Sequence, residues 1–113
     1  MLKAWEKLQW YIANKFKELG DDKAKPTKGS GNTGLGSPSD VTTTLPFMVE
    51  CKWRNTKNLT IDIDVFDKNK NNIPINSPKL PMLALEYENG RKFIVMDADD
   101  FFNMLNEIED LPW

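Results

Sequence analysis

An aspartate precedes a Glu-X-Lys triplet by ten residues in the first half of this chain. Asp40 ends a Pro-Ser-Asp tripeptide, and the triplet runs from Glu50 to Lys52. A metal-dependent phosphodiesterase uses such groups, because two carboxylates can bind a hard divalent cation and a lysine can offset charge on the phosphate. The chain contains no histidine, which excludes His-ligated zinc and catalysis by a histidine base.

Each of these residues has a candidate role in that chemistry. Mg²⁺ and Mn²⁺ prefer oxygen ligands, which the carboxylates of Asp40 and Glu50 and the backbone carbonyl of Cys51 would supply. Lys52 would orient the attacking water or neutralise the transition state. An ordinary interpretation stays open beside this one, since Glu-X-Lys is common on the polar face of a half-buried strand and Asp is common at turns.

Residues 47–54 are predicted to form the strand that carries the triplet. Successive side chains of a strand point to opposite faces. One face is therefore apolar, with Phe47, Val49, Cys51 and Trp53, and the other holds Met48, Glu50, Lys52 and Arg54. Such a strand can bury one face in a core and present Glu50 and Lys52 on the other.

The turn before this strand decides whether Asp40 joins the site. If Leu45 and Pro46 form a two-residue hairpin loop, Asp40 lies opposite Cys51, on the wrong face. A three-residue loop or a bulge shifts the pairing by one residue and brings Asp40 beside Glu50 or Lys52. Pro46 favours an irregular turn, but the sequence leaves the register open.

Composition and charge limit the class of protein. With 113 residues the chain is long enough for one domain with a modest core, which dimerisation would help to stabilise. The net charge of −2 hides an asymmetry: residues 1–57 carry ten Lys and Arg against six Asp and Glu, and residues 58–113 carry five against eleven. The single cysteine and the lack of a long apolar run predict a cytoplasmic protein with no membrane partner.

The first helix is predicted over residues 2–19, where apolar side chains recur every three or four residues and Gly20 ends the pattern. Glu6 lies at the edge of the apolar stripe. It is either a further carboxylate of the site or a solvated flanking residue, and both interpretations stay open.

Residues 20–39 are rich in glycine, serine and lysine and are predicted to form a flexible loop. This loop is either a linker or a mobile segment whose lysines and backbone N–H groups grip phosphates beside the metal. Its position directly before Asp40 favours the second interpretation. Lys25 and Lys28 in the loop, and Arg54 after the triplet, are the candidate DNA contacts.

The second half of the chain predicts the rest of an α/β domain. Residues 59–72 fit a strand through their alternating Ile and Asp, and fit a helix with Thr60 as its N-cap. Met82–Tyr87 and Lys92–Met96 are predicted to form a hairpin, and Asp97 is predicted to open a short final helix. Together the elements predict a single domain with a central mixed sheet flanked by helices.

This order of elements and motifs resembles the PD-(D/E)XK nucleases, and among them the small Holliday-junction resolvases of archaea and phages. The resemblance covers most of the chain. Its most specific part is Pro38–Asp40 followed by Glu50–Lys52, preceded by the Gly-Ser-Gly of residues 29–31. Glu6 lies at the place of the family's first-helix glutamate. The loop before Asp40 is longer than in the archaeal enzymes.

The resemblance implies a restriction-endonuclease-like core of αβββαβ type, in a homodimer that binds four-way DNA junctions and makes paired Mg²⁺-dependent nicks. It implies Asp40 and Glu50 as metal ligands and Lys52 as the catalytic lysine. It also implies Glu6 as a further acidic residue, Ser30 as a loop residue near phosphate, and a bacterial or phage-infected cell as the setting. Two alternatives remain: a nuclease of this fold with another DNA substrate, and a catalytically silent DNA-binding or protein-interaction module.

Overall fold

The computed structural model describes residues 2–27, 39–73 and 75–108, apart from the side chains of Asn69 and Asn72. Its elements are, in chain order, α1 (Ala4–Glu18), β1 (Lys25–Pro26), β2 (Val41–Thr42), β3 (Phe47–Trp53), α2 (Asp64–Asn72), β4 (Leu80–Glu86), β5 (Lys92–Val95) and α3 (Ala98–Asn106). The strands form one sheet in the order β1-β2-β3-β4-β5. Strands β3 and β4 run parallel, and the other neighbouring pairs run antiparallel. The predicted α/β class, with a mixed sheet and flanking helices, is confirmed.

Helix α1 packs across β1, β2 and β3 because its apolar residues share one stripe. Leu8, Ile12 and Phe16 recur at four-residue spacing and are buried. The ring of Phe16 stacks on that of Phe47 at the start of β3, with 6.1 Å between the ring centroids. The helix ends at Glu18 with Leu19 as its C-cap, and Gly20 takes a φ of 109°, which a residue without a Cβ adopts at little cost.

The predicted division of β3 into two faces is confirmed. Its odd-numbered side chains pack into the core beneath α1, together with Val41 of β2: Phe47, Val49, Cys51 and Trp53. The even-numbered side chains lie on the opposite face, where the register pairs Glu50 with Leu83 and Lys52 with Leu85. Both leucines are fully buried, so the two charged side chains stand beside an apolar surface.

The segment between β3 and β4 forms a helix rather than a strand. Because β3 and β4 are parallel, the chain must cross back over the sheet, and such crossovers are usually helical. The expected N-cap at Thr60 was wrong. Helix α2 begins at Asp64, whose N–H donates to Oδ1 of Asp62 at 2.9 Å, and it packs against β4.

The predicted loop over residues 20–39 contains a strand. Lys25 and Pro26 form β1 and pair with Thr42 and Val41, so Lys25 belongs to the sheet rather than to a loop. The predicted contacts Lys28 and Ser30 lie outside the described residues.

The hairpin and the final helix follow the sequence prediction. Strands β4 and β5 pair antiparallel about a turn in which Gly90 has a φ of 78°. Asp97 caps α3, since its carboxylate accepts a hydrogen bond from the N–H of Asp100 at 3.1 Å. Across the described residues, none of the helices has the length and apolar content needed to cross a membrane.

Candidate active site

Asp40 lies directly before β2 and is held against β3 at two points. Its N–H donates to the carbonyl oxygen of Val49 at 2.7 Å. Its carboxylate oxygen Oδ2 accepts a hydrogen bond from the N–H of Cys51 at 2.8 Å. These bonds fix the Asp40 carboxylate beside the peptide that links Glu50 to Cys51. We call this part of the sheet, where residues 39–41 meet residues 49–51, the corner.

The hydroxyl of Ser39 also bonds to the backbone of both strands at this corner. Its hydroxyl oxygen accepts a hydrogen bond from the N–H of Val49 at 3.0 Å. The same hydroxyl lies 2.8 Å from the carbonyl oxygen of Val41 and 3.1 Å from that of Val49, and its one proton can be donated toward either. The side chain is 4% exposed. The sequence prediction gave Ser39 no role, although a serine directly before a strand often bonds to nearby backbone in this way.

The strand register places Asp40 beside the peptide groups on either side of Glu50. Val41 pairs with Val49, and Asp40, directly before Val41, bonds through its N–H to Val49 and through its carboxylate to Cys51. The alternative with a two-residue hairpin, which would have put Asp40 opposite Cys51, is therefore wrong. The shift of one residue expected from a longer or irregular turn is confirmed, with β2 ending at Thr42 and β3 starting at Phe47.

Asp21 holds the turn that sets this register. Its carboxylate accepts hydrogen bonds from the hydroxyl of Thr43 at 2.6 Å and from the N–H of Thr44 at 2.8 Å. These two bonds are the main causes that lower the pKa of Asp21 below its ordinary value. Asp21 is 5% exposed and lies three residues after the end of α1, so it connects the segment that follows the helix to the β2–β3 turn. The sequence prediction missed this residue because its partners are more than twenty positions away.

Glu50 and Lys52 occupy neighbouring positions on the face opposite α1, and both side chains are half-buried. Among the described residues, the ammonium group of Lys52 has no hydrogen-bond or ion-pair partner. A lysine in that state keeps its donors available for a water molecule or a phosphate oxygen.

The thiol of Cys51 points into the core, and the charges around it still affect its pKa. Burial is the main cause that raises the pKa of this thiol, and the negative charges of Asp40 and Glu50 raise it further. Both carboxylates are therefore close enough to act on the same atom. The thiol stays protonated at neutral pH, which excludes it as a nucleophile or as a thiolate ligand.

The oxygen atoms at this corner suit a hard divalent cation. The N–H and C=O of one strand residue point toward the same edge, so the carbonyl of Cys51 is directed to the edge where Asp40 sits. Together with the carboxylates of Asp40 and Glu50 it offers the oxygen donors that Mg²⁺ and Mn²⁺ prefer. In residues 2–27, 39–73 and 75–108, no group of three or more His, Cys, Asp and Glu side chains could hold a metal ion. A metal here would thus depend on the backbone carbonyl, water and substrate oxygens for its remaining ligands.

Glu6 serves α1 as a cap. Its Oε2 accepts a hydrogen bond from the N–H of Lys3 at 3.2 Å, which satisfies one of the unpaired backbone donors at the start of the helix. Within the described residues, this hydrogen bond is the contact that the structure shows for the Glu6 side chain. A direct role in the site stays a prediction.

The two described candidates for DNA contacts differ in what they touch. Lys25 is exposed in β1. Arg54 is also exposed, and its Nη1 donates to the carbonyl oxygen of Trp53 at 2.8 Å, which folds the guanidinium back onto its own strand.

A groove of about 750 Å³ lies between two segments that follow β3 in the chain. One wall is the segment of residues 57–61, and the other is the end of the β4–β5 hairpin. Leu85, the register partner of Lys52, lies on its surface. The groove carries two cations, Lys57 and Arg91, and one anion, Glu88. It therefore offers two positive charges in a groove that the register partner of the candidate catalytic lysine also lines.

No protein-family model, no curated protein and no solved structure matches this chain. The PD-(D/E)XK assignment accordingly stays a prediction from the sequence motif.

Proposed function

We propose that this chain is a divalent-metal-dependent DNA endonuclease that cuts branched DNA, as a Holliday-junction resolvase does. The observation that carries the proposal is the hydrogen bond that fixes the Asp40 carboxylate beside the Glu50–Cys51 peptide, with Lys52 two residues after Glu50 on the same face of β3. The first six elements follow the order αβββαβ, which supports the restriction-endonuclease-like core that the sequence motif implies.

The residues of this corner would divide the work of phosphodiester hydrolysis. Asp40 and Glu50, with the carbonyl of Cys51, would hold Mg²⁺ or Mn²⁺. The bound ion supplies a Lewis acid for the phosphate and lowers the pKa of a bound water. Lys52 would donate a hydrogen bond to the attacking water or to a phosphate oxygen, where negative charge builds up in the transition state. Ser39 would act as a positioning residue through its bonds to β2 and β3.

The groove that Leu85, the register partner of Lys52, helps to line supports a nucleic-acid substrate. Lys57 and Arg91 would contact the phosphates of a strand that leaves the site, and such contacts position DNA without reading its sequence. A homodimer would present two equivalent sites related by a two-fold axis, which suits the symmetry of a four-way junction.

One observation favours a second candidate, a silent DNA-binding or protein-interaction module of the same fold. The described residues hold no cluster of three metal-binding side chains, so metal affinity would be modest without substrate. A nuclease of this fold acting on flapped, nicked or sequence-specific duplex DNA is the other alternative.

A cleavage assay on two DNA substrates tests the proposal. An end-labelled four-way junction and the matching linear duplex are incubated with Mg²⁺ and with EDTA, using the natural chain, Lys52→Ala and, as matched control, Lys70→Ala in the exposed last turn of α2. We expect paired cuts in the junction that disappear with EDTA and with Lys52→Ala but persist with Lys70→Ala.

Each other outcome of this assay points to one of the alternatives. Equal cutting of both substrates would identify a general nuclease. Binding without cutting in Mg²⁺ or Mn²⁺ would refute the enzyme and leave the silent module.

A further inference from the structure

Helix α3 is amphipathic, yet none of its residues is buried. Its apolar side chains recur at helical spacing and leave their larger members on the surface, with Phe102 60% exposed. A helix of this kind gains most of its stability from covering its apolar face, so the uncovered face indicates a missing partner.

The sheet has an uncovered strip on the side where α1 lies. Helix α1 packs across β1, β2 and β3, and β5 at the edge of the sheet is left beside it. A cavity of about 220 Å³ lies between them, which we name the α1–β5 groove. It is lined mainly by Tyr11 and Lys15 of α1, Leu19 at the C-cap of α1, Met82 of β4, and Lys92 and Ile94 of β5. Ile94 remains 51% exposed there.

The two surfaces carry opposite charge. Residues 97–108, which include α3, contain four acidic residues and no Lys or Arg. The α1–β5 groove is lined by two lysines and no acidic residue. The ammonium groups of Lys15 and Lys92 lie 5.5 Å and 4.7 Å from the ring centre of Tyr11, so both cations gather at one point of the rim.

The acidic partners that these two lysines already have are weak. Lys15 reaches Glu18 at 3.5 Å in an exposed pair, and the half-buried Lys92 reaches Glu86 only at 4.0 Å. An acidic helix docked in the groove would offset the positive charge of these two lysines and would also cover the apolar strip.

We propose that α3 of one copy of this chain docks in the α1–β5 groove of a second copy, and that the second copy's α3 docks in the first in the same way. Both unpartnered surfaces belong to the same chain and complement each other in charge, which makes a second copy the fitting occupant. Helix α3 begins three residues after β5, which lines the groove. A two-fold axis near the end of β5 would therefore form both contacts at once in a closed dimer.

This inference rests on the homodimer of the proposed function and names its surface. Its test measures mass rather than cleavage, so the two can fail separately. A monomer that cuts junctions would overturn the dimer alone, and a dimer that cuts no DNA would overturn the endonuclease alone.

Sedimentation velocity and light scattering of the full chain at micromolar concentration test the dimer. We expect twice the 13.0 kDa mass of one chain. Phe102→Asp in α3 and Ile94→Asp in the groove should each give a monomer with unchanged circular dichroism. Ile75→Asp, at a position that is 92% exposed and outside both surfaces, is the matched control and should stay dimeric.

Mixing the two monomeric variants identifies which surfaces meet. In the mixture, the intact α3 of Ile94→Asp can enter the intact groove of Phe102→Asp, so one of the two contacts is restored and a heterodimer should appear. If α3 instead packed against α3, Ile94→Asp alone would remain a dimer, which would overturn the proposal. A monomeric natural chain at every concentration tested would also overturn it.

Discussion

The carboxylate of Asp40 and the backbone N–H of Cys51 are joined by a hydrogen bond of 2.8 Å. This bond links the turn before β2 to the strand that carries Glu50 and Lys52. It restrains the carboxylate at the edge of β3 where the Cys51 carbonyl also points. A single contact thus connects the stability of the sheet corner to the geometry of the candidate metal site.

Substitution of Asp40 should separate charge from structure. In Asp40→Asn the side-chain oxygen can still accept the bond from Cys51, so we expect the free energy of unfolding to change by less than about 1 kcal/mol. The cleavage rate should fall by about a hundredfold or more, because the substituted side chain no longer offers a negative charge to the metal cation. Asp40→Ala leaves the Cys51 N–H without its acceptor and should cost about 1–3 kcal/mol.

Urea unfolding and the junction assay measure these two effects. Equal loss of stability in Asp40→Asn and Asp40→Ala would show that the hydrogen bond does not hold this corner.

Removal of the Ser39 hydroxyl should weaken the corner as a whole. Ser39→Ala leaves the buried N–H of Val49 without its acceptor, and we expect a loss of about 1–3 kcal/mol in the free energy of unfolding. Because Asp40 follows directly, the Mg²⁺ concentration for half-maximal cleavage should rise. Thr42→Ala removes an exposed hydroxyl of β2, bonded to Thr27 at 2.8 Å, and should stay within about 0.5 kcal/mol. Similar losses for both variants would argue against a positioning role for Ser39.

Metal binding should be visible without any substrate. At ten times its dissociation constant, Mg²⁺ should stabilise the folded chain by about 1.4 kcal/mol, which raises the melting temperature by a few degrees. EDTA should reverse this shift, and Asp40→Asn or Glu50→Gln should abolish it. Asp67→Asn, in the exposed part of α2, should keep it. A shift of the same size in all variants would indicate general ion binding to an acidic protein instead of a site.

A fall in pH should weaken the hydrogen bonds by which the Asp21 carboxylate holds the β2–β3 turn. Hydrogen bonds to the ionised carboxylate lower its pKa in the folded chain below the ordinary value of 3.8. Its contribution to stability is therefore fully present above pH 3.8 and is lost as the pH falls through the folded-state pKa. The difference in urea midpoint between the natural chain and Asp21→Asn should be largest near neutral pH and should shrink in acid.

Asp22→Asn, at the exposed neighbouring position, is the control for this pH dependence and should follow the natural chain. A difference between the natural chain and Asp21→Asn that stays constant from neutral pH to pH 2 would contradict the assigned bonds.

The sequence by itself determined α1, β3, the β4–β5 hairpin and α3, and which faces of α1 and β3 are buried. The spacing of Leu8, Ile12 and Phe16 predicted α1, and the alternation along residues 47–54 placed Val49 in the core and Glu50 outside it. These are local properties, because helix and strand periods decide which side chains share a face. The acceptor role of Asp97 could be predicted for the same reason, since its partner lies three residues away.

Only the tertiary structure decided how the local pieces meet. The register that pairs Val41 with Val49 depends on the turn after β2, and Asp21, which lies 22 residues before Thr43 in the sequence, holds that turn. The choice of helix for residues 64–72 follows from the parallel pairing of β3 and β4, which no local pattern encodes. Contacts between distant residues depend on the packing of the whole chain, and periodicity carries no information about their partners.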